Sequence, residues 1–142
     1  MEIREAVQED FEIIFPLFLQ LQPDKLLNKE KIKLFYNELI SSDRHFAWVA
    51  IVDGRIVGYM DVVFRTYHFA FEFVARIETT IVDENYRRKG IASRLIEKCE
   101  EKAKKSGCKV IELDSAILRE GAHKFYVSCG YLKRGYLFWK HL

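Results

Sequence analysis

An apolar strand runs almost directly into an amphipathic helix between Ile81 and Ala92. Residues 75–82 are rich in β-branched side chains, the turn-prone Asp83-Glu84-Asn85 follows, and Gly90 stands just before the apolar helical repeat. The first N–H groups of a helix have no partner within it and lie at the positive end of its dipole. The join therefore predicts an anion-binding site at the end of a strand, in a chain that mixes strands and helices.

Hydrophobic periodicity predicts the order β-α-α-β-β-β-α-β-α-β, with a hairpin at Asp53-Gly54. Strands are expected at Ile3–Ala6, Phe46–Val52, Ile56–Phe64 and Ala75–Val82, at Val110–Leu113 as a short buried strand, and over Tyr131–Leu142 as a last strand or strand pair. Helices are expected at Phe11–Leu21 with a bend or restart at Pro16, at Lys29–Ile40, from Ile91 to a stop at Ser106-Gly107, and at Ala122–Cys129.

Size and composition predict one domain over residues 1–142, because 49% of the residues are hydrophobic and can form one core. The formal net charge of +2, from 23 basic and 21 acidic residues, is too small to favour nucleic acid or an anionic membrane as a partner. Three cysteines without metal-type spacing predict neither a disulfide framework nor a metal site. With neither an export signal nor a run of about 18 apolar residues, the expected location is the cytoplasm.

Three consecutive cations, Arg87-Arg88-Lys89, precede Gly90 and would add positive charge where a diphosphate docks. The chain contains no G-x-G-x-x-G and no G-x-x-x-x-G-K-[ST] sequence, so neither common nucleotide-binding loop is present. On these residues alone, a solvated basic loop whose glycine only shapes a turn is the alternative interpretation.

Two motifs resemble those of the GNAT N-acetyltransferases. Arg87-x-x-Gly90-x-Ala92 resembles the acyl-CoA motif R/Q-x-x-G-x-G/A of that family, and residues 122–131 resemble its second signature, A-x-x-F-Y-x-x-x-G-F/Y. The resemblance implies an α/β (α+β) fold with a mixed, mostly antiparallel central sheet flanked by helices. One departure is Arg119, which stands where the family often has an asparagine that contacts the pantetheine arm.

The resemblance implies that acetyl-CoA is the cosubstrate and that no metal is needed. Backbone N–H groups of the motif would hold the CoA pyrophosphate, and the strand before it would pair with the pantetheine arm like an added strand. The cofactor-binding residues implied in this way are Ile81, Val82, Arg87, Arg88, Lys89, Gly90, Ile91, Ala92 and Ser93.

Acetyl transfer to an amine needs a neutral amine, a polarised thioester carbonyl and a proton for the departing thiolate. Tyr126 matches the tyrosine that many family members place near the CoA sulfur as general acid. The alternative is a core tyrosine, because Ala122, Phe125 and Cys129 share its helical stripe.

Glu78 is the candidate general base, since such families often have an acid in the strand leading to the acyl-CoA motif. Strand alternation would place its side chain on one face with those of Thr80 and Val82. Burial beside an apolar pocket would then raise its pKa toward the working range. The alternative is an exposed strand carboxylate.

The acceptor is expected to be a small-molecule primary amine, because the second signature looks like that of enzymes acting on aminoalkylphosphonates and aminoglycosides. A protein or peptide amine, an acyl-CoA sensor without turnover, an interaction module and a homodimer all stay open. Alternating aromatic residues either line an apolar acceptor pocket or cover a sheet face: Tyr67, Phe69, Phe71 and Phe73. Three acids would attract a cationic amine: Asp61, Glu72 and Glu78.

Overall fold

A computed structural model describes residues 1–68 and 72–142, which form two compact units, 1–112 and 113–142. Unit 1 contains β1 (Glu2–Glu5), α1 (Phe11–Leu21), α2 (Lys29–Ile40), β2 (His45–Val52), β3 (Arg55–Tyr67), β4 (Glu72–Val82), α3 (Ile91–Lys105) and β5 (Cys108–Glu112). Unit 2 contains α4 (Glu120–Ser128). Among these described helices, none combines the length and the apolar composition that a membrane span requires.

Unit 1 is built on one five-stranded sheet with the order β1-β2-β3-β4-β5. Neighbouring strands are antiparallel except β4 and β5, which are parallel and are connected by α3. The turn between β2 and β3 has φ of 50° at Asp53 and 75° at Gly54, which is the left-handed pair that a two-residue hairpin needs. The predicted mixed, mostly antiparallel sheet flanked by helices is confirmed.

One face of the sheet packs against α1 and α2. Phe11, Ile14 and Tyr36 are almost fully buried there, and the Tyr36 hydroxyl donates a hydrogen bond to the Val7 carbonyl at 2.7 Å. Phe18 of α1 meets the ring of Tyr59 edge-on, with centroids 5.4 Å apart. These contacts place the C-terminal half of α1 over the middle of β3.

The other face packs against α3, whose apolar stripe includes Leu95 and Cys99, both with no exposed surface. Gly58 of β3 lies under the first turn of this helix: a Cβ at that position would stand 3.2 Å from Cγ2 of Ile91 and 3.2 Å from Cβ of Ala50. The missing side chain at Gly58 therefore lets the start of α3 approach the sheet closely.

A β-bulge interrupts the β3–β4 ladder. Asp61 pairs with Thr79 and Val62 pairs with Ile77, so Glu78 has no register partner on β3. A bulge of this kind bends the strand and changes which face the next side chains occupy. The strict alternation expected from Glu78 to Val82 is therefore wrong at Glu78.

Three predicted features differ from the structure: the restart at Pro16, the burial of the short strand β5, and the strand over residues 131–142. Helix α1 continues through Pro16 without restarting, since the proline removes only the donor to the Glu12 carbonyl, near the exposed start of the helix. The short strand β5 is only partly covered, and Val110 is 39% exposed.

No strand forms over residues 131–142, which have no regular secondary structure. Their apolar character was the reason for predicting one, but large side chains of this segment are solvent-exposed, including Phe138 at 90% and Trp139 at 73%. A strand requires a hydrogen-bonded neighbour, and apolar composition alone does not supply one.

Candidate functional site

The N-terminus of α3 has free backbone donors. Gly90 is the N-cap with φ of 76°, and no side chain caps the helix. The first backbone hydrogen bond of the helix joins the Arg94 N–H to the Gly90 carbonyl at 3.2 Å, so the N–H groups of Ile91, Ala92 and Ser93 lie ahead of it. There is no acidic residue in the first turn. A Cβ on Gly90 would meet nothing within 4 Å, so the approach to these donors is open.

The loop between β4 and α3 is clamped by α1. Gln20 Nε2 donates to Asp83 Oδ2 at 3.1 Å, and Gln20 Oε1 accepts from the Glu84 N–H at 3.0 Å. The Asp83 carboxylate also accepts from the Asn85 N–H at 2.9 Å. That backbone bond, together with the amide of Gln20 and the nearby Arg87 charge, lowers the pKa of Asp83, so the loop is held by an ionised carboxylate at neutral pH.

Two of the three predicted cations bind the loop itself. Arg87 Nε donates to the Val82 carbonyl at 3.1 Å. Lys89 Nζ donates to the Asn85 carbonyl at 3.3 Å and lies 4.9 Å from the centroid of the Tyr86 ring. Arg88 between them has φ of 62°, a left-handed backbone that is uncommon for a residue with a side chain. The motif therefore combines positive charge with a backbone held in a specific, partly left-handed conformation.

The strand leading into this loop has an open edge in unit 1. The pairing of β4 with β5 ends at Arg76, whereas its pairing with β3 continues to Val82. In the part of unit 1 that the structure describes, residues 77 and 79–82 are thus paired on the β3 side only, and Glu78 is paired on neither side. Ile81 and Val82 are only 5% and 8% exposed as whole residues, so neither projects an exposed side chain at this edge.

Glu78 lies at the surface, which contradicts the expectation of burial. Its side chain is 45% exposed, and Oε1 is 3.2 Å from Nε of Arg76. Arg76 also lies 3.6 Å from a carboxylate oxygen of Glu112 on β5, and Arg65 of β3 contacts the same oxygen. Glu78 is thus the last member of a row of alternating charges that runs over β3, β4 and β5: Arg65, Glu112, Arg76 and Glu78.

Tyr126 lies in α4 of unit 2, among aromatic side chains of the same unit. Its ring is 5.2 Å from that of Phe125 and 5.8 Å from that of Tyr131, edge-on in the second case. The Tyr126 carbonyl accepts from the Tyr131 N–H at 3.0 Å, and Gly130 with φ of 88° lets the chain reverse there. The predicted helix and its glycine stop are confirmed, whereas the role of Tyr126 stays a prediction.

Asp61 is a candidate that the sequence analysis named only as a possible attraction for cations. Its side chain lies in the β3–β4 ladder, the residue is 4% exposed, and it is hydrogen-bonded to Thr79 and Tyr59. Burial raises its pKa to about 7, and the nearby charge of Glu78 adds to the effect. Asp61 lies in a continuous run of buried residues, 57–62, and a lone acid in such an apolar run was the available signal.

The predicted aromatic pocket would involve two residues on β3 and β4 and two in the segment that joins these strands. Phe69 and Phe71 lie outside the residues that the structure describes. Tyr67 ends β3 and Phe73 lies near the start of β4, with 53% and 55% of their surfaces exposed. An acceptor pocket formed by the four aromatic residues therefore stays a prediction.

Comparisons with known proteins show the family and the fold. Residues 3–131 match the model of the Acetyltransferase (GNAT) family. The aminoalkylphosphonate N-acetyltransferase of Salmonella typhimurium is 27% identical over 141 residues, which is 99% of this chain and 91% of that protein. A putative acetyltransferase from Agrobacterium tumefaciens has the same fold, with a TM-score of 0.89, 20% identity and full coverage of both chains. So does the acetyltransferase AAC(6')-Iy in complex with a CoA-containing bisubstrate analog, with a TM-score of 0.84, 21% identity and coverage of 99% and 97%.

Proposed function

Because the chain belongs to the GNAT acetyltransferase family and is an acetyl-CoA-dependent N-acetyltransferase, we propose that it acetylates the primary amine of a small molecule. The amine attacks directly while acetyl-CoA is bound in the same complex. The observation that most strongly supports this is the open strand edge of β4 leading into an uncapped helix N-terminus.

The residues at this join fit acetyl-CoA. The uncapped N–H groups of Ile91, Ala92 and Ser93 point along the helix dipole, and the absence of a side chain at Gly90 leaves them accessible. The N–H groups of a glycine-shaped helix start are the donors that a diphosphate needs. Arg88 and Lys89 add positive charge beside them, and Arg87 contributes by holding the loop to the end of β4.

The backbone of Ile81 and Val82 would bind the pantetheine arm. An extended amide-containing chain adds to an exposed strand edge through main-chain hydrogen bonds, which explains why the side chains here need no polar group. Acetyl-CoA supplies an acetyl thioester whose thiolate is a good leaving group, since thiol pKa values lie near 8.5. The chain itself therefore has to orient the arm, exclude water and move protons.

We assign the two proton transfers to Tyr126 and Glu78. The Tyr126 hydroxyl would donate a proton to the departing sulfur, an assignment that rests on its place in the second motif. The Glu78 carboxylate would accept a proton from the acceptor ammonium directly or through one water. Its 45% exposed side chain is accessible to an incoming amine, and Arg76 restrains it from one side.

The proposed acceptor class is supported by the similar protein from Salmonella typhimurium, which is named for aminoalkylphosphonates and is matched over nearly the full length of both chains. The Glu78 carboxylate is already paired with an arginine. A small ammonium group can still bind beside it without displacing a large area of protein surface.

Thiol release over an amine panel tests this function. The purified chain is incubated with acetyl-CoA and with simple amines, polyamines, aminoalkylphosphonates, aminoglycosides or peptides. We expect CoA release that depends on a small amine. CoA release with peptides alone would indicate a peptide acceptor instead of a small molecule. Binding of acetyl-CoA without any turnover would indicate a sensor. Binding is measured by thermal shift, in which ligand at 100 times its dissociation constant stabilises the chain by about 2.7 kcal/mol.

A further inference from the structure

Asp61 is a buried acid with two hydroxyl partners. The residue is 4% exposed, Tyr59 on its own strand and Thr79 on β4 hydrogen-bond to its carboxyl group, and its register partner on β2 is Ala47. An acid in such a place is costly unless polar groups satisfy it. The bond to Thr79, which crosses from β3 to β4, therefore constrains how the two strands can be arranged at this point.

The pair Asp61–Thr79 stands at the edge of the bulge. On one side of it the ladder is regular, with Met60 opposite Thr80, and on the other side Val62 is opposite Ile77. If the regular register continued, Glu78 would stand opposite Val62, which has no exposed surface. If the far register extended back, Glu78 would stand opposite Asp61, and two carboxylates would face each other. Both alternatives are unfavourable, and the bulge avoids both.

We propose that Asp61 is a positioning residue for acetyl transfer: by holding Thr79 it fixes the register shift at which Glu78 leaves the ladder, and so presents the Glu78 carboxylate to the acceptor amine. This inference rests on the proposed function, in which Glu78 accepts the proton of that amine. Bulges commonly redirect a side chain next to an active site, and here a side-chain hydrogen bond keeps the bulge in one place.

The arrangement responds to pH near neutrality. Burial raises the pKa of Asp61 to about 7, the charge of Glu78 raises it further, and the hydroxyls of Thr79 and Tyr59 oppose the rise. From the packed helices, the rings of Phe18 (α1) and Tyr36 (α2) lie 5.4 and 6.3 Å from the Tyr59 ring, and the charge that acts on Asp61 is that of Glu78. The hydrogen bonding between Asp61 and Thr79 therefore changes when Asp61 gains its proton.

Three variants test the proposal. Thr79→Val removes the hydroxyl with little change of shape, Thr79→Ser restores it, and Asp61→Asn removes the titrating proton. Thr66→Val is the matched control, because Thr66 is also a β3–β4 ladder residue but is exposed and far from the bulge. Backbone amide NMR spectra of the chain without acetyl-CoA are recorded across pH, and kcat and the KM for acetyl-CoA are measured in parallel.

We expect the amide signals of Glu78 and Thr79 to titrate with the Asp61 carboxyl in the native chain, and to lose this transition in Asp61→Asn. Thr79→Val should shift the Glu78 amide and lower kcat about tenfold with the KM for acetyl-CoA within about twofold, as expected when a reacting group is misplaced. Thr79→Ser should recover most of the kcat, and Thr66→Val should match the native chain.

The proposal is overturned if Thr79→Val leaves the Glu78 amide and kcat unchanged, or if Thr79→Ser is as impaired as Thr79→Val. The spectra need no acetyl-CoA. A native chain without any turnover would therefore contradict the proposed function, while the spectra alone would still decide whether Asp61 fixes the bulge.

Discussion

Asp61 and Glu78 are two carboxylates on adjacent strands in opposite surroundings. Asp61 is buried among hydroxyl groups, whereas Glu78 is half-exposed beside Arg76. The family resemblance favoured Glu78 as the buried group of raised pKa, because such families often have an acid in this strand, and an exposed strand carboxylate was the alternative. The bulge reverses that expectation, and a one-residue register shift between strands is not readable from a single sequence.

The stability of the chain should report the burial of Asp61. Its pKa is raised to about 7 in the folded chain, from 3.8, so the folded state binds the proton more tightly than the unfolded state. Stability from this group is therefore full at low pH and lost as pH rises from about 4 to 7. Relative to Asp61→Asn, the native chain should lose about 2.5 kcal/mol of unfolding free energy between about pH 5 and pH 8.

Denaturant unfolding of both proteins at the two pH values measures this difference. A stability difference between native chain and variant that stays constant over this range would mean that the carboxyl group titrates normally and is not buried as the structure has it.

Tyr126→Phe should lower kcat by roughly 10- to 100-fold with little change in the affinity for acetyl-CoA, because only the proton donor is removed and the ring is kept. Tyr136→Phe is the control, since Tyr136 is 87% exposed in the same unit. Steady-state rates and calorimetric titration with acetyl-CoA are compared for the three proteins. If Tyr126→Phe has native turnover across the pH range, Tyr126 is not the proton donor and has only a packing role.

Glu78→Gln should lower kcat/KM at neutral pH and recover in part at high pH, where the acceptor amine is already deprotonated. Glutamine keeps the size and a hydrogen bond toward Arg76 but cannot accept the proton. Glu97→Gln on the exposed face of α3 is the control, with a side chain that is 57% exposed. Parallel pH profiles, or a uniform loss without recovery, would show that water or another group takes the proton.

At the scale of elements, two glycines in the left-handed region flank helix α3: Gly90 before its first residue, with φ of 76°, and Gly107 after its C-cap Ser106, with φ of 81°. A Cβ would meet nothing within 4 Å at either position. The same substitution at the two sites therefore has a similar backbone cost, of the order of 1–2 kcal/mol. Only the N-terminal site adjoins the free N–H groups.

Gly90→Val should therefore nearly abolish acetyl-CoA binding, while Gly107→Val retains it. The valine side chain at Gly90 would project into the open approach to the Ile91–Ser93 amides, where the diphosphate is proposed to bind. Circular dichroism checks that both variants are folded, and calorimetry measures the affinity. Equal affinities in the two folded variants would contradict the proposed diphosphate site.

The elements that the sequence predicted best are those with local signals. Helix α2 has the predicted bounds Lys29–Ile40, with Asn28 as its N-cap, and the Asp53-Gly54 turn has the expected left-handed pair. The Gly90 helix start was also local, since glycine spacing and the following apolar stripe specify it. The clamp by Gln20 was not predictable, because it joins residues 63 and 64 positions apart.

At the scale of the whole molecule, the element order was predictable from periodicity, and the mixed sheet follows from it. The failure at residues 131–142 has a different origin: apolar composition indicates that a segment is to be covered, but not by what. The extent of the β4–β5 pairing was also beyond the sequence. Because this pairing ends at Arg76, residues 77–82 have no strand neighbour on that side within the described part of unit 1. A single domain and a homodimer stay predictions.

Transfer of a labelled acetyl group tests the central claim most directly. The chain is incubated with acetyl-CoA labelled in the acetyl group, with and without the best amine of the panel, and the label is followed by mass spectrometry in the small molecule and in the protein. The account predicts label in the amine product and none bound covalently to the protein when the amine is withheld. Label that never reaches an amine, or that accumulates on a side chain, would contradict direct acetyl transfer from acetyl-CoA to a small amine.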